Sequence, residues 1–247
     1  MLSLALSLAA GQASAQQACP LSAIGTAKVA AVRDGRTLLL ADGRVLRLAA
    51  IEVTDASRTA LQALIAGREL RLGKLGPEHD RYGRLVAFAF AGDDRQSLQQ
   101  ALVENGQARV SARVGDKACA DALLAAERQA RSGRRGLWAD PNFAPLPAES
   151  STRLKGERGR FALVEGKVLS VRESGGTIYV NFGRRWTRDF SVIILRRDER
   201  RFTAAGLAPK QLAGHRVLVR GWIEQRRGPV IVADAPEQIE LVGAAGQ

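Results

Sequence analysis

Histidine and cysteine, the side chains most often used for metal binding and nucleophilic catalysis, are scarce in this sequence. Its 247 residues include two histidines and two cysteines. A tetrahedral zinc site needs four such ligands at close spacing, so a Cys/His zinc site is excluded. His79 and His215 lie in different halves of the chain, and the sequence suggests no Ser-His-Asp or Cys-His arrangement. Catalysis or ligand binding in this chain is therefore expected to use its arginine and carboxylate side chains.

Basic side chains outnumber acidic ones. Lys and Arg number 37 against 25 Asp and Glu, which gives a net charge of +12. Residues 151–247 hold 18 of the basic and 10 of the acidic side chains, so most of the excess lies there. Such a surface favours a polyanion, meaning nucleic acid, an anionic membrane face or an acidic glycan. A basic protein with no such partner is the alternative.

With 46% hydrophobic and 25% charged residues, the chain is too apolar for intrinsic disorder and too charged for a membrane-spanning bundle.

Four segments of the first half carry arginines and carboxylates at recognisable spacing. They are residues 32–38 (VRDGRTL), 47–55 (RLAAIEVTD), 80–85 (DRYGRL) and 126–127 (AE) with 136–138 (GLW). Taken together, they resemble the staphylococcal nuclease (thermonuclease) family over residues 26–139. The third and fourth segments are the most specific, since the third matches the family's D-[KR]-Y-G-R in full.

The resemblance implies calcium-dependent hydrolysis of phosphodiesters. In that family, two aspartates and a backbone carbonyl hold Ca²⁺, a glutamate lies near the attacking water, and two arginines bind the phosphate. Arg47 and Arg84 stand at the two arginine positions of this sequence, and Asp55 stands at the position of the glutamate. Glu52 replaces the second calcium aspartate, and Arg36 replaces the first. Arg47, Asp55 and Arg84 are therefore the candidate catalytic residues, and Glu52 is the candidate metal ligand.

The altered positions predict that this calcium site has degenerated. Arg36 puts a cation where the family has a ligand, so we expect it to pair with Glu52 or Asp55 and to prevent tight Ca²⁺ binding. No cofactor is then firmly implied, and hydrolysis is expected to be lost or strongly weakened. The remaining arginines suit phosphate binding, and Tyr82 and Arg36 are candidate nucleic-acid contacts. Two alternatives stay open: an active nuclease that uses Glu52 and Asp55 with another metal, and a purely structural ion-pair network.

The second half resembles the C-terminal OB-like domain that often follows this nuclease domain in exported bacterial proteins. The supporting residues are 178–183 (IYVNFG), Trp186, 189–190 (DF), 217–222 (VLVRGW) and 228–229 (GP). OB barrels bind single strands by stacking bases on aromatic rings in a basic groove. The candidate rings are Tyr179, Trp186, Phe190 and Trp222, about half of which a barrel this small needs in its core. We expect Arg184, Arg185, Trp186 and Arg188 to contact nucleic acid, because Trp186 lies among these arginines in a turn.

The elements that must position these residues are mostly strands. In the first half, strands are predicted at residues 26–32, 37–40, 45–48, 69–72 and 85–91, and helices at 57–66, 97–104 and 119–131. In the second, strands are predicted at 161–171, 177–182, 190–195, 216–222 and 230–233, with a short helix at 209–212. The expected fold is mainly β with α (α+β): a nuclease-type OB barrel with helices over 23–140, a linker over 141–158, and a second OB-like barrel over 159–247.

The N-terminal segment predicts export. Residues 1–15 (MLSLALSLAAGQASA) join a short apolar stretch to an A-x-A cleavage pattern, so residues 1–22 are a signal peptide with a short N-terminal segment. A buried helix is the alternative; the stretch is too short to span a bilayer. In an oxidising compartment Cys19 and Cys119 are expected to form a disulfide, two separate thiols being the alternative. We thus expect a periplasmic or secreted monomer that binds single-stranded DNA or RNA, or else an envelope module that binds a protein or glycan.

Overall fold

The structure, a computed structural model, describes residues 19–185 and 187–243. The predicted signal peptide up to Ala15 lies outside the described residues, and so does Trp186. Within the described residues, strands outnumber helices, and each half of the chain has its own apolar core. The predicted mixed class, mainly β with α, is confirmed.

The first half contains a six-stranded sheet, a two-stranded sheet and three helices. Its elements are β1 (Ser22–Ala27), β2 (Val29–Val32), β3 (Thr37–Leu40), β4 (Val45–Leu48), β5 (Ile51–Val53), α1 (Ser57–Ile65), β6 (Leu70–Lys74), β7 (Leu85–Ala91), α2 (Leu98–Glu104), β8 (Ala108–Val110) and α3 (Lys117–Ser132). The larger sheet has the order β1-β6-β7-β4-β3-β2, with β4 and β7 parallel, and β5 pairs with β8. This arrangement is consistent with the predicted OB-type barrel with helices.

Local sequence explains where these elements begin and turn. Asp116 caps α3 by accepting a hydrogen bond from the backbone N–H of Cys119 at 3.0 Å, and Ser97 caps α2 in the same way. The single strand predicted over 26–32 is divided in the structure, because β1 pairs with β6 whereas β2 pairs with β3. The chain thus changes partner strands at Lys28.

The second half forms two sheets, and the predicted second barrel does not close among the described residues. Its elements are β9 (Leu146–Pro147), α4 (Ser151–Gly156), β10 (Phe161–Lys167), β11 (Ser170–Ser174), β12 (Thr177–Asn181), β13 (Ser191–Leu195), α5 (Glu199–Ala204), β14 (Arg216–Trp222), β15 (Glu224–Gln225), β16 (Pro229–Val232) and β17 (Ile239–Leu241). The sheet orders are β17-β14-β10-β9 and β11-β12-β13-β16-β15. The predicted strand 161–171 breaks at Val168 and Leu169, whose backbone N–H groups donate to His215 and Asn181 rather than to one continuous partner strand.

Residues 141–158, predicted as a linker, have regular structure and belong to the second half. β9 pairs in parallel with β10, and α4 follows it. Leu146 and Leu154 are both buried in the second core. The Pro-rich composition of this segment thus accompanies ordered chain that is packed against the following sheets.

The two halves meet in an interface with an apolar and an ionic part. The apolar cluster consists of Ala130, Trp138, Phe161, Leu163 and Leu218. Beside it, the fully buried Arg220 of β14 donates from Nη2 to Oε2 of the buried Glu127 in α3 at 2.7 Å, and it also pairs with Glu240. Burial alone would lower the pKa of Arg220, but these two carboxylates raise it. The interface therefore holds the two halves in one relative orientation.

Cys19 and Cys119 form the predicted disulfide, which joins the start of the described chain to the first turn of α3 across a separation of 100 residues. By loop entropy, such a link stabilises a protein by about 3–5 kcal/mol. Over the part of the chain that the structure describes, no helix combines the length and the apolar character needed to cross a bilayer.

Candidate functional site

Arg47 lies at the centre of the candidate site because of the alternation in β4. Leu46 and Leu48 point into the core, so Arg47 between them faces outward. It is paired in register with Thr37 of β3 on one side and with Val86 of β7 on the other. Arg36 directly precedes Thr37 in the β2–β3 turn, and Arg84 lies two residues before Val86, in the loop that leads into β7.

Arg36, in the turn before β3, makes an ion pair with Glu52. Its Nη1 lies 2.7 Å from Oε2 of Glu52 and donates to the carbonyl oxygen of Ile51 at 2.9 Å. Asp34 fixes the turn, since its Oδ1 accepts a hydrogen bond from the backbone N–H of Arg36 at 2.8 Å. Of the two carboxylates expected as partners for Arg36, the structure thus places Glu52 against it.

Arg84 is held by Asp80, which is not among the predicted site residues. Nε of Arg84 donates to Oδ2 of Asp80 at 2.8 Å, and the backbone N–H groups of Tyr82 and Arg84 donate to Oδ1. Burial acts to raise the pKa of Asp80, but these hydrogen bonds from Arg84 and the backbone hold it below its usual value. A carboxylate four residues before the motif arginine was the available signal for this role.

The guanidinium of Arg47, by contrast, makes no hydrogen bond and no ion pair with any described residue. Its side chain is half-buried, and burial lowers its pKa. The neighbouring charges of Arg36 and Arg84 lower that pKa further, against the opposite effect of Glu52 and Asp80. An unpaired guanidinium between two others is a site for an anion, because an anion would supply both the charge and the acceptors that Arg47 lacks.

The carboxylates present do not fit a calcium ion. Ca²⁺ takes about 6–8 oxygen ligands, several of them charged. Glu52 is already neutralised by Arg36, and Asp55 is exposed in the segment between β5 and α1, where its side chain has no hydrogen-bond partner among the residues described. Across residues 19–185 and 187–243, no group of three or more His, Cys, Asp or Glu side chains could hold a metal ion. The carboxylate oxygen of Glu52 that a cation would need already accepts a hydrogen bond from the guanidinium of Arg36.

The other predicted nucleic-acid contacts fall into two groups. Tyr82 is 67% exposed beside the arginine site, and its ring lies 4.9 Å from the guanidinium carbon of Arg81. Arg184, Arg185 and Arg188 are exposed in the loop between β12 and β13 of the second half, and Trp186 in the same loop lies outside the described residues.

Three of the candidate stacking rings of the second half lie among the described residues, and they differ in solvent exposure. Phe190 is fully buried and packs against Phe182, which makes it a core residue. Tyr179 is half-buried. Trp222 is 49% exposed, which makes it the most accessible of these three rings.

Residues 48–140 match the family model described as Staphylococcal nuclease homologue. The match begins one residue after Arg47 and includes Glu52, Asp55 and Arg84. The chain therefore contains a domain like those of the staphylococcal nuclease homologues. The comparison with curated proteins gave no match.

Proposed function

We propose that this protein binds nucleic acid through its arginine cluster and that its calcium-dependent hydrolytic site has degenerated. We define the arginine cluster as Arg36, Arg47 and Arg84. The observation that carries the proposal is the unequal pairing of the three: Arg36 and Arg84 each have a carboxylate partner, and Arg47 has none among the described residues.

A phosphodiester is the anion that suits this arrangement. Its two free oxygens accept hydrogen bonds from a planar guanidinium in a forked geometry, and its single charge is distributed along a polymer that can contact further basic residues. The nuclease-family match over 48–140 supports the same class of ligand. The exposed Arg184, Arg185 and Arg188 of the second half would extend the contact.

Loss or weakening of hydrolysis follows in this proposal from Glu52 and Asp55. Glu52 is engaged by Arg36 and is not free to hold a cation. Asp55 would have to orient the attacking water without a hydrogen-bonding neighbour that fixes its carboxylate, and misplacement by about 1 Å can cost about 100-fold in rate. An active enzyme with another metal is the competing function, and a cleavage assay separates the two.

We also propose that the protein acts in an oxidising compartment after export and that its second half is an OB-like module. The Cys19–Cys119 disulfide supports the first statement, because such bonds persist in secreted and periplasmic proteins. The pairings of β10 with β14 and of β13 with β16 support the second, because each joins strands that are not consecutive in the chain, as a partly open five-stranded Greek-key barrel requires.

The binding test uses the purified chain and a fluorescently labelled single-stranded DNA or RNA, with anisotropy as the readout and a chelator present. Binding at about 50 mM salt that weakens steeply toward about 200 mM is expected. Arg47→Ala should weaken it at least about tenfold, because one charged hydrogen-bonded contact is worth roughly 1.5–3 kcal/mol. Arg95→Ala is the matched control: Arg95 is exposed in the same half, beyond the far end of β7 from Arg84.

The second arm measures cleavage of the same strands with Ca²⁺, Mg²⁺ or Mn²⁺. Absence of cleavage together with salt-dependent binding supports the proposal. Cleavage that Asp55→Ala abolishes would instead establish an active nuclease. No binding at about 50 mM salt would refute the nucleic-acid function, and capture experiments with envelope components would then test the interaction-module alternative.

A further inference from the structure

The two halves of the chain line an open cleft of about 630 Å³, and Arg47 is the residue of the arginine cluster that lies in its wall. The first half contributes Arg47, Glu52 and the loop at residues 111–115 after β8, and the second half contributes Trp222 and Asp234. The cleft therefore has a guanidinium on one wall and an indole ring on the other. Its volume lies in the range of pockets that hold small organic molecules.

Trp222 is held firmly and is still accessible. It ends β14, where it pairs in register with Phe161 of β10. The two rings meet edge to face, with centroids 6.1 Å apart and planes at 71°. The side chain is 49% exposed, although an indole of this size normally buries most of its surface. A fixed and half-exposed indole in a cleft offers a flat surface on which another ring can stack.

The charges of the cleft favour an anionic ligand. Asp234 is neutralised by Arg113 from the opposite half, whose Nε donates to its Oδ1 at 2.8 Å. Glu52 is neutralised by Arg36. Both acidic residues that line the cleft are thus paired, whereas Arg47 has no carboxylate partner within the described part of the chain. The electrostatic character of the cleft is set by that arginine.

We propose that this cleft is a nucleobase subsite shared by the two halves, in which Trp222 stacks on a base of a single-stranded nucleic acid whose phosphate is bound at Arg47. This inference rests on the proposed function, since it requires the arginine cluster to bind a phosphodiester. Bases in a duplex are stacked on their neighbours, so only an unpaired base can lie against the indole. The second half thereby gives the nuclease-like domain a preference for single strands.

The test compares a single-stranded oligonucleotide of about ten nucleotides with an abasic strand of the same length and with a duplex. Trp222→Leu, which keeps an apolar side chain against Phe161, is expected to raise the Kd for the single strand by about 5- to 150-fold, the range for one stacked base. The Kd values for the abasic strand and the duplex should not change. Trp222→Phe, with a smaller ring, should give an intermediate loss for the single strand only.

Leu169→Ala is the matched control, because Leu169 is also in the second half and is 51% exposed but does not line the cleft. It should leave every Kd unchanged. If Trp222→Leu binds the single strand as wild type does while Arg47→Ala weakens binding, the subsite is refuted and the proposed function stands. If the wild-type protein binds none of the three nucleic acids, the proposed function fails and the subsite with it.

Discussion

Replacing Arg220 with methionine should destabilise the protein by about 3–5 kcal/mol, the typical cost of removing one partner from a buried ion pair. The side chains of Arg220 and Glu127 are 1% and 0% exposed, so neither can exchange its partner for water. Methionine fills much of the same space but donates no hydrogen bonds. The cost therefore comes from lost pairing more than from lost packing.

The structure shows where this cost arises. Arg220 Nη2 lies 2.7 Å from Oε2 of Glu127, and its Nη1 donates to the carbonyl oxygen of Val110 at 3.1 Å. In the variant, Glu240 keeps ion pairs with two other arginines, whereas Glu127 keeps, among the described residues, one hydrogen bond from the backbone N–H of Val110 and the more distant charge of Arg109. At about 4 Å and an effective dielectric constant of about 20, one ion pair contributes roughly 4 kcal/mol of Coulomb energy, which agrees with the empirical range.

Urea unfolding followed by circular dichroism measures the change. With an m-value of about 2–3 kcal/mol per M, the midpoint should fall by about 1–2.5 M. The matched control is Arg216→Met on the same strand, which breaks an exposed ion pair with Glu165 and should cost less than about 1 kcal/mol. Adding Glu127→Leu to Arg220→Met removes the unpaired carboxylate and should restore part of the stability. A loss in Arg220→Met no larger than in Arg216→Met would refute this reasoning.

Arg36→Asp removes the guanidinium that neutralises Glu52 and adds a carboxylate, so calorimetry should detect Ca²⁺ binding in the variant and none in the wild-type protein; no binding by either would contradict the role given to Arg36. Replacing Cys19 and Cys119 with serine should lower the free energy of unfolding by about 3–5 kcal/mol, and the wild-type protein under reductant should unfold at the same urea midpoint as this variant. Burial would raise the pKa of Glu240, but nearby arginines hold it below its usual value. The ionised carboxylate of Glu240 therefore contributes its full stabilisation above the ordinary pKa of a glutamate. This contribution is lost as the pH falls through the lowered pKa of Glu240 in the folded state. Unfolding measured between about pH 7 and pH 3 should show this decline, and Glu240→Gln should reduce it, whereas an unchanged profile would exclude the carboxylate as its source.

The local sequence predicted the strands well where the apolar residues of a strand and the turn residues beside it indicate the same bounds. The bounds of β3, β4, β7 and β14 are those predicted, since each is a short apolar run between turn residues or charged residues. The helix α5 was missed because one of its side chains, Phe202, is buried and the rest are mostly charged or polar, so no apolar period is visible. The break at Val168 was missed because it depends on hydrogen bonds to residues distant in the sequence.

For the candidate site, the sequence indicated the three arginines and two possible partners for Arg36, but it did not indicate Asp80 as the partner of Arg84. Arg47 and Arg84 stand in motif segments, and the choice between Glu52 and Asp55 as the partner of Arg36 needed the geometry of the turn before β3. The cleft could not be predicted, because its second wall comes from Trp222, more than a hundred residues further along the chain and brought there by the interface.

The interface between the halves has a consequence for how this protein can be divided or recombined. A chain that ends at residue 140, where the family match stops, would keep Glu127 without Arg220 and would expose Trp138, which lies in one apolar cluster with residues of the second half. Such a fragment is expected to be insoluble, even though it includes every strand and helix of the nuclease-like domain. A substitution on one side of the interface therefore constrains which residues the other side accepts, and a half taken from another protein would have to supply a partner for Glu127 or for Arg220.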